Sequence, residues 1–233
     1  MTYIFPPHPQ TLLPIVGSDQ FFPVRRIFCV GKNYADHIIE MGGDPNREEP
    51  FFFVKPTDAV CVDKNVPFPP RTDNFHFEME LVIAIGTSGS NIAAADAHDY
   101  IFGYGAGVDL TRRDLQGEAK KRGRPWAMGK SFDHSAPMSP LQSVKDIGHP
   151  ESGRIHLSVN GETKQDGDLA QQVWKVPEII ANLSTYVELA AGDLIMTGTP
   201  AGVGPLSGGD KVVGEIEGVG SLAFTLGPKP KGE

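Results

Sequence analysis

Apolar and polar residues alternate over residues 75–81, and an apolar run continues the pattern to residue 85. Every odd position in this stretch is apolar, whereas the even positions begin with His76, Glu78 and Glu80. Successive side chains of a β-strand point to opposite faces. The pattern therefore predicts a single strand with its odd face in the core and its two glutamates side by side on the other face.

Shorter segments, most of them apolar and bounded by glycine, proline or asparagine, predict further strands. They span residues 27–30, 51–54, 60–62, 100–108, 155–159, 163–165, 194–199, 211–217 and 221–226. Asn160 and Gly161 separate two of these runs and form the residue pair that type I′ turns favour, so a β-hairpin is predicted there.

Three short helices complete the predicted elements. They cover residues 33–41, with Asn33 as N-cap and Gly42 and Gly43 as the stop, residues 111–122, with Gly123 as the stop, and residues 177–189, with Pro177 in the first turn. Strands and helices do not alternate regularly. We therefore expect an α+β fold, with an antiparallel-rich mixed sheet and helices packed on one side.

The chain length suits one large domain, since 233 residues can bury a single core. Residues 1–24 contain five prolines and predict an extended N-terminal arm on the surface. Residues 25–233 then form one domain. No internal repeat or low-complexity linker divides it.

The charge balance indicates which classes of binding partner are disfavoured. The net charge is −8 and the pI is near 5.4, which argues against binding to nucleic acid or to an anionic membrane. The longest apolar run, residues 81–85, is too short to span a bilayer, and the N-terminus does not resemble a secretory signal. Cys29 and Cys61 form no disulfide framework and are predicted to be buried. We expect a soluble cytoplasmic protein.

Glu78 and Glu80 are the first candidates for chemistry. On one strand face their carboxylates lie about 7 Å apart and repel by about 2 kcal/mol at an effective dielectric constant near 20. A bound cation would offset this repulsion, and oxygen ligands suit Mg²⁺, Mn²⁺ or Ca²⁺. The alternative is an ordinary solvated strand face.

Asp109 follows the glycine-rich strand directly, and glycines at 103, 105 and 107 allow close approach of a ligand or another backbone. Arg113 and Gln116 follow at helical spacing, so the three side chains could share one face. The alternative is that Asp109 caps the following helix.

His37 and Glu40 stand three residues apart on the first predicted helix. A histidine oriented by a carboxylate is the arrangement of a general base that removes a proton from water. The alternative is a pair of solvated residues on an exposed helix.

Several short motifs fail on inspection. Gly129, Lys130 and Ser131 resemble the end of a phosphate-binding loop, but Arg124 stands where the loop requires glycine. The glycines near residue 105 lack dinucleotide-binding spacing, and neither a Gly-x-Ser-x-Gly elbow nor a zinc deaminase pattern is present.

Five strings occur in order along the chain: GKNYADHIIEM, FHFEMELVIAIG, GYGAGVDLTRRDLQ, RPWAMGKSFD and LIMTGTPAGVG. From residue 27 to residue 224 the sequence resembles the fumarylacetoacetate hydrolase family in its short form. The resemblance implies a mixed β-sheet roll with a few short helices, a homodimer, and residues 25–233 as the catalytic domain.

The resemblance also implies roles for individual residues. They are Glu78, Glu80 and Asp109 as ligands of a divalent cation, Mg²⁺ first with Mn²⁺ or Ca²⁺ as alternatives. Lys130, beside the metal, is implied as a catalytic residue, as are His37 and Glu40 on a mobile lid. Arg113, Gln116 and Thr199 are implied as substrate contacts. Asp36 matches a further carboxylate of longer family members.

The implied activity is metal-dependent hydrolysis of a carbon–carbon bond in an acylpyruvate. The preferred substrate is fumarylpyruvate, cleaved to fumarate and pyruvate in the gentisate route of aromatic catabolism. Oxaloacetate decarboxylation or isomerisation of an unsaturated dioxo acid on the same scaffold stays an alternative. A non-catalytic module that binds small acids is an alternative of another class.

Overall fold

The computed structural model describes residues 2–42 and 48–230, so the predicted helix stop at Gly43 lies outside the described residues. The strands are β1 Leu12–Pro14, β2 Phe21–Pro23, β3 Arg26–Gly31, β4 Phe51–Lys55, β5 Val60–Cys61, β6 Asn65–Val66, β7 Phe75–Phe77, β8 Met79–Ile85, β9 Ile101–Val108, β10 Thr111–Arg112, β11 Ala136–Pro137, β12 Gln142–Ser143, β13 Arg154–Val159, β14 Glu162–Asp168, β15 Asp193–Met196, β16 Gly204–Pro205, β17 Lys211–Ile216 and β18 Gly220–Leu226. The helices are α1 Ala35–Glu40, α2 Arg113–Lys121, α3 Ala127–Lys130, α4 Val144–Ile147 and α5 Val176–Tyr186.

Two mixed sheets build most of the molecule. The larger has the strand order β12-β9-β8-β15-β3-β4, and all its pairs are antiparallel except β15 with β3. The second has the order β14-β13-β17-β18-β6 and packs against β8 and β9. A small sheet has the strand order β10-β7-β16. Along the chain, β7 directly precedes β8 and β10 directly follows β9. The predicted α+β fold with mixed sheets and few helices is confirmed.

Both faces of strand β8 are covered. Its odd residues, such as Leu81 and Ile83, join the main core with the second sheet and α5, whereas Val82 and Ala84 pack in a smaller core cluster. All seven residues of the strand are buried. The glutamates therefore do not lie on a solvated strand face. Both cysteines are free and buried, as predicted.

The alternating stretch over residues 75–85 is two strands rather than one. β7 pairs with β10 and β16, whereas β8 pairs with β9 and β15. Glu78 stands between them, where the chain leaves one sheet and enters the other. Alternation continues through this junction, so side-chain periodicity alone could not reveal it.

The hairpin turn at Asn160 and Gly161 is confirmed. Both residues have positive φ, 53° and 84°, as a type I′ turn requires. The turn joins β13 and β14, which pair antiparallel with an irregularity after Leu157.

The helices differ from the prediction in their starts and number. Asn33 is not an N-cap, because its buried side chain bonds to Trp174 and to Thr197, and α1 begins only at Ala35. Helix α2 begins at Arg113, since the two residues before it form β10. The four-residue helices α3 and α4 were not predicted. In the described part of the chain, no helix has the length and apolar character needed to cross a membrane.

The N-terminal segment contains more structure than a simple arm. Residues 2–10 are exposed, but β1 and β2 form an antiparallel hairpin. Leu13 and Phe22 from this hairpin are buried in the smaller core cluster together with Val82 and Ala84. The hairpin thus covers one face of the large sheet.

Candidate active site

Three carboxylates converge on one side of β8. Glu80 belongs to β8, Glu78 to the junction before it, and Asp109 follows β9, the antiparallel partner of β8. The Asp109 N–H donates to the Glu78 carbonyl at 2.8 Å and fixes the two segments together. One oxygen of each carboxylate lies within 4.8 Å of the others, and all three residues are buried. The structure brings together the three predicted metal ligands.

Lys130, at the end of α3, reaches into this group of carboxylates. Its Nζ donates to Glu78 Oε2 at 2.7 Å and to Asp109 Oδ2 at 2.6 Å. α3 packs closely on α2, because a Cβ added to Gly129 would lie 2.8 Å from the backbone nitrogen of Gln116. A side chain at residue 129 would push the two helices apart and shift Lys130.

Lys55 is a buried partner of Asp109, a role that the sequence did not predict. Its Nζ lies 2.8 Å from Asp109 Oδ1, donates to Ser135 Oγ at 3.0 Å and also donates to the Lys130 carbonyl. The side chains of Lys55 and Asp109 are both 0% exposed. The only signal in the sequence is a lysine at the end of the apolar run of β4.

The carboxyl groups differ in their electrostatic surroundings. Burial alone would raise the pKa of Glu78, but the charges of Lys130 and Arg113 prevail and lower it well below its ordinary value. Burial raises the pKa of Glu80 well above its ordinary value, and the negative charges of Asp109 and Glu78 raise it further. Burial would lower the pKa of Lys130, but Asp109 and Glu78 raise it, so Lys130 stays charged.

The donor set fits a divalent cation. Asp109 Oδ1 is buried and accepts no hydrogen bond of normal geometry, although Lys55 Nζ lies 2.8 Å from it. Within the described residues, the hydrogen bond to the Glu80 carboxylate comes from the Gly198 N–H at 2.8 Å, and no ammonium or guanidinium is paired with it. Three carboxylate oxygens suit hard cations such as Mg²⁺, Mn²⁺ or Ca²⁺.

Arg113 and Gln116 lie on α2 as neighbours. Arg113 donates to Gln116 Oε1 at 2.6 Å and also donates to Glu78 Oε1. Asp109 does not share a helix face with them, because it precedes β10, and it does not cap α2, whose N-cap residue is Arg112. The prediction of a shared helical face for these three residues was wrong; Glu78 connects Arg113 to the carboxylates instead.

His37 and Glu40 form a hydrogen-bonded pair on α1. His37 Nδ1 lies 3.1 Å from Glu40 Oε2, and the Glu40 carboxylate also accepts the Gly202 N–H at 3.1 Å. Only 12% of the His37 side chain is exposed, against 33% of the Glu40 side chain, so the histidine of this pair is largely removed from solvent. When Nδ1–H donates to Glu40, the other ring nitrogen keeps its lone pair and can act as a base.

Thr199 follows β15 in the loop that carries Gly198. Its hydroxyl accepts a hydrogen bond from Gln165 Nε2 at 2.8 Å, and Gln165 Oε1 accepts the N–H of Met79 at 2.9 Å. Gln165 thereby links this loop to the start of β8. Sequence analysis did not identify Gln165, because it lies in a separate hairpin.

Most of the predicted site residues line one cavity. Its lining includes His37, Glu78, Glu80, Arg113, Gln116, Lys130 and Thr199. Asp109 and Glu40 are not part of this lining, but they are hydrogen-bonded to Lys130 and His37, which are. Asp36 lies elsewhere, in a depression that it shares with Tyr34 and Asp166. The cavity thus combines a cation-binding group of carboxylates, a candidate base and several hydrogen-bond donors.

Comparisons with known proteins agree with this geometry. Residues 26–226 match the family model described as fumarylacetoacetate (FAA) hydrolase C-terminal. The chain is 46% identical over 186 residues to a fumarylpyruvate hydrolase of Ralstonia sp, across 79% of this chain and 96% of that protein. It is 41% identical over 203 residues to the mitochondrial oxaloacetate tautomerase of Mus musculus, across 87% of this chain and 91% of that protein.

A solved structure resembles almost the whole chain. The fumarylpyruvate hydrolase from Pseudomonas aeruginosa, crystallised in complex with Mn²⁺ and pyruvate, has a TM-score of 0.94 and 46% sequence identity to this chain. The match covers 98% of this chain and 100% of that one.

Proposed function

This chain belongs to the fumarylacetoacetate hydrolase family, and from that premise we propose that it hydrolyses the carbon–carbon bond of an acylpyruvate with the help of a divalent cation. Fumarylpyruvate is the proposed substrate, and fumarate and pyruvate are the products. The His37–Glu40 pair in the same cavity as the three carboxylates carries the proposal.

A homodimer in the cytoplasm belongs to the same proposal. Light scattering that gave only the 25.1 kDa of one chain would contradict the dimer.

Glu78, Glu80 and Asp109 would hold the cation, which we propose to be Mg²⁺ or Mn²⁺. The complex of the Pseudomonas aeruginosa relative with Mn²⁺ and pyruvate supports a divalent ion and a 2-oxo acid in such a site. When bound, the cation supplies Lewis-acid polarisation of the 2-oxo acid end of the substrate.

His37 is the proposed general base. Glu40 orients its ring, and the Gly202 N–H fixes Glu40 in turn. His37 takes a proton from water while the water oxygen bonds to the distal carbonyl carbon. The bond between that carbon and the methylene group then breaks, its electron pair stays with the methylene carbon, and a proton returns there to give pyruvate.

The remaining polar residues position the substrate and stabilise charge. Lys130 and Gln116 line the cavity and can donate to the oxyanion that forms when water attacks. Thr199 is proposed to contact the substrate carboxylate. Arg113 holds Glu78 and Gln116 in place.

Oxaloacetate tautomerisation is the second candidate, because a tautomerase of Mus musculus is 41% identical to this chain. That reaction moves a proton between carbon and oxygen and consumes no water. Because tautomerisation needs no activated water, the His37–Glu40 pair, a histidine oriented by a carboxylate, favours hydrolysis. Decarboxylation of oxaloacetate is tested by the same assay.

Product analysis tests the proposal. The metal-loaded wild type is expected to convert fumarylpyruvate and acetylpyruvate to pyruvate and an acid, whereas His37→Ala should lower kcat about 10²- to 10⁴-fold and still bind Mn²⁺. Oxaloacetate is assayed in parallel for tautomerisation and decarboxylation. His156→Ala, an exchange on the remote strand β13, serves as the control. Turnover of oxaloacetate without cleavage of either acylpyruvate would refute the proposal.

A further inference from the structure

We infer that Lys120 binds a second carboxylate at the far end of the substrate and so selects dicarboxylic over monocarboxylic acylpyruvates. The inference rests on the proposed function and names the substrate class that the cavity prefers. It depends on where α2 places its polar residues and on which cations near the site are already paired.

Helix α2 presents three polar side chains to the cavity. Arg113, Gln116 and Lys120 stand at positions i, i+3 and i+7 and all line it, as expected for one helical face. Gln116 is buried, whereas Lys120 is exposed. Because a helix rises 1.5 Å per residue, Lys120 lies about 6 Å farther along the axis than Gln116. The face therefore runs from the buried carboxylates to the open end of the cavity.

The buried or half-buried cations near the site already form ion pairs with carboxylates of the protein. Arg113 donates to Glu78, Lys130 bridges Glu78 and Asp109, and Lys55 pairs with Asp109. Each of these cations balances charge at the proposed cation site. A substrate carboxylate at the far end would have to compete with those buried pairs.

Lys120 differs from these cations in its pairing. Among the described residues its ammonium makes no ion pair or hydrogen bond. Lys32 also lines the cavity, but its Nζ lies 3.8 Å from Glu48 Oε2. Arg124 lines a neighbouring depression beside β4 rather than this cavity. Of the cations that the described residues contribute to this lining, Lys120 is thus the one that makes no ion pair.

The rest of the wall suits an unsaturated acyl chain. Phe53 and Trp126 line the same cavity, with ring centroids 5.9 Å apart. Their apolar surface can pack on the hydrocarbon between the two ends of the substrate. A dioxo acid with a carboxylate beyond that chain would meet Lys120, whereas an acetyl group would end short of it.

Two substrates that share the reacting carbons separate this role from catalysis. Fumarylpyruvate carries the far carboxylate and acetylpyruvate lacks it, so the ratio of their kcat/KM values measures the selectivity. Lys120→Met should lower that ratio about tenfold, through KM for fumarylpyruvate. Lys120→Arg should restore most of it. Lys121→Met removes the same charge from an exposed neighbour outside the cavity and should leave the ratio unchanged.

The outcomes distinguish this inference from the proposed function. An equal loss with both substrates, or an unchanged ratio in Lys120→Met, would overturn the role of Lys120. A selective loss in Lys32→Met without one in Lys120→Met would overturn it as well. If the wild type cleaves neither substrate, the proposed function itself fails, and the inference falls with it.

Discussion

At the residue scale, Asp109 is the centre of the buried charge network. Its Oδ2 accepts from Lys130, and its Oδ1 faces Lys55. Lys55 also donates to the backbone carbonyl of Lys130 and to Ser135. One buried ammonium thus fixes both a proposed metal ligand and the chain segment that carries the second lysine. Its loss would leave a carboxylate buried with half of its charge partners.

Lys55→Met is expected to lower the free energy of unfolding by about 3–5 kcal/mol, because it breaks a buried ion pair of Asp109 and also removes the donor to the Lys130 carbonyl and to Ser135. Urea unfolding of the metal-free protein measures the change. Lys64→Met, at an exposed lysine, serves as the control and should stay within about 0.5 kcal/mol of the wild type. A loss below about 1 kcal/mol in Lys55→Met would mean that the pair with Asp109 contributes little to stability.

At the element scale, α1 depends on its contacts for stability. A helix of six residues is too short to persist in water without tertiary support. Ile38 is the residue that this helix buries, Asn33 anchors the chain before it, and Glu40 accepts the N–H of Gly202. The proposed base therefore stands on an element held by a few contacts, and such an element can open when one of them is lost.

Glu40→Ala is expected to speed hydrogen exchange of the α1 amides about three- to tenfold, because the charge-assisted bond to Gly202 is lost. Hydrogen exchange followed by mass spectrometry of peptides that contain α1 measures this effect. Glu118→Ala removes an exposed glutamate from α2, where it pairs with Arg122, and should leave α1 unchanged. Equal exchange in Glu40→Ala and the wild type would show that Glu40 does not restrain the helix.

At the scale of the whole molecule, the candidate cation site joins distant parts of the fold. Glu80 comes from the large sheet, Glu78 from its junction with the small sheet, and Asp109 from the end of β9. An unfolded chain does not hold these carboxylates together. A cation that binds only the folded state therefore stabilises the entire domain.

Mn²⁺ or Mg²⁺ at about 100 times its dissociation constant is expected to stabilise the folded protein by about 2.7 kcal/mol. For a domain of this size that corresponds to a rise in Tm of about 5–10 °C. Thermal unfolding with added cation, and again with a chelator, measures the shift. Glu80→Gln should abolish most of it.

Asp36→Asn is the matched control for the cation experiment, because Asp36 lies in a separate depression. This variant should keep the full rise in Tm. A cation-induced rise that persists in Glu80→Gln and disappears in Asp36→Asn would move the site away from β8.

Sequence alone identified much of this site because several residues lie close together along the chain. Glu78 and Glu80 share a strand period, and His37 and Glu40 share a helical turn, so local geometry brings each pair together. The contacts that Lys55 and Gln165 make at the site were not predicted, for the opposite reason. Each reaches the site from a strand far away in the chain, and no periodicity signals that contact.

The sequence by itself determined the α+β class, the family, the Asn160–Gly161 turn and the pairs of residues that could do chemistry. The family follows from the resemblance of five ordered motifs. The class, the turn and the residue pairs depend on local backbone preferences and side-chain periodicity, which a short segment contains within itself. Only the tertiary structure decided that residues 75–85 divide between two sheets, that both faces of β8 are buried, and that Lys55, Lys130 and Arg113 are already paired whereas Lys120 is available. Those facts depend on which distant segments pack together, because charge balance and burial are properties of the assembled core.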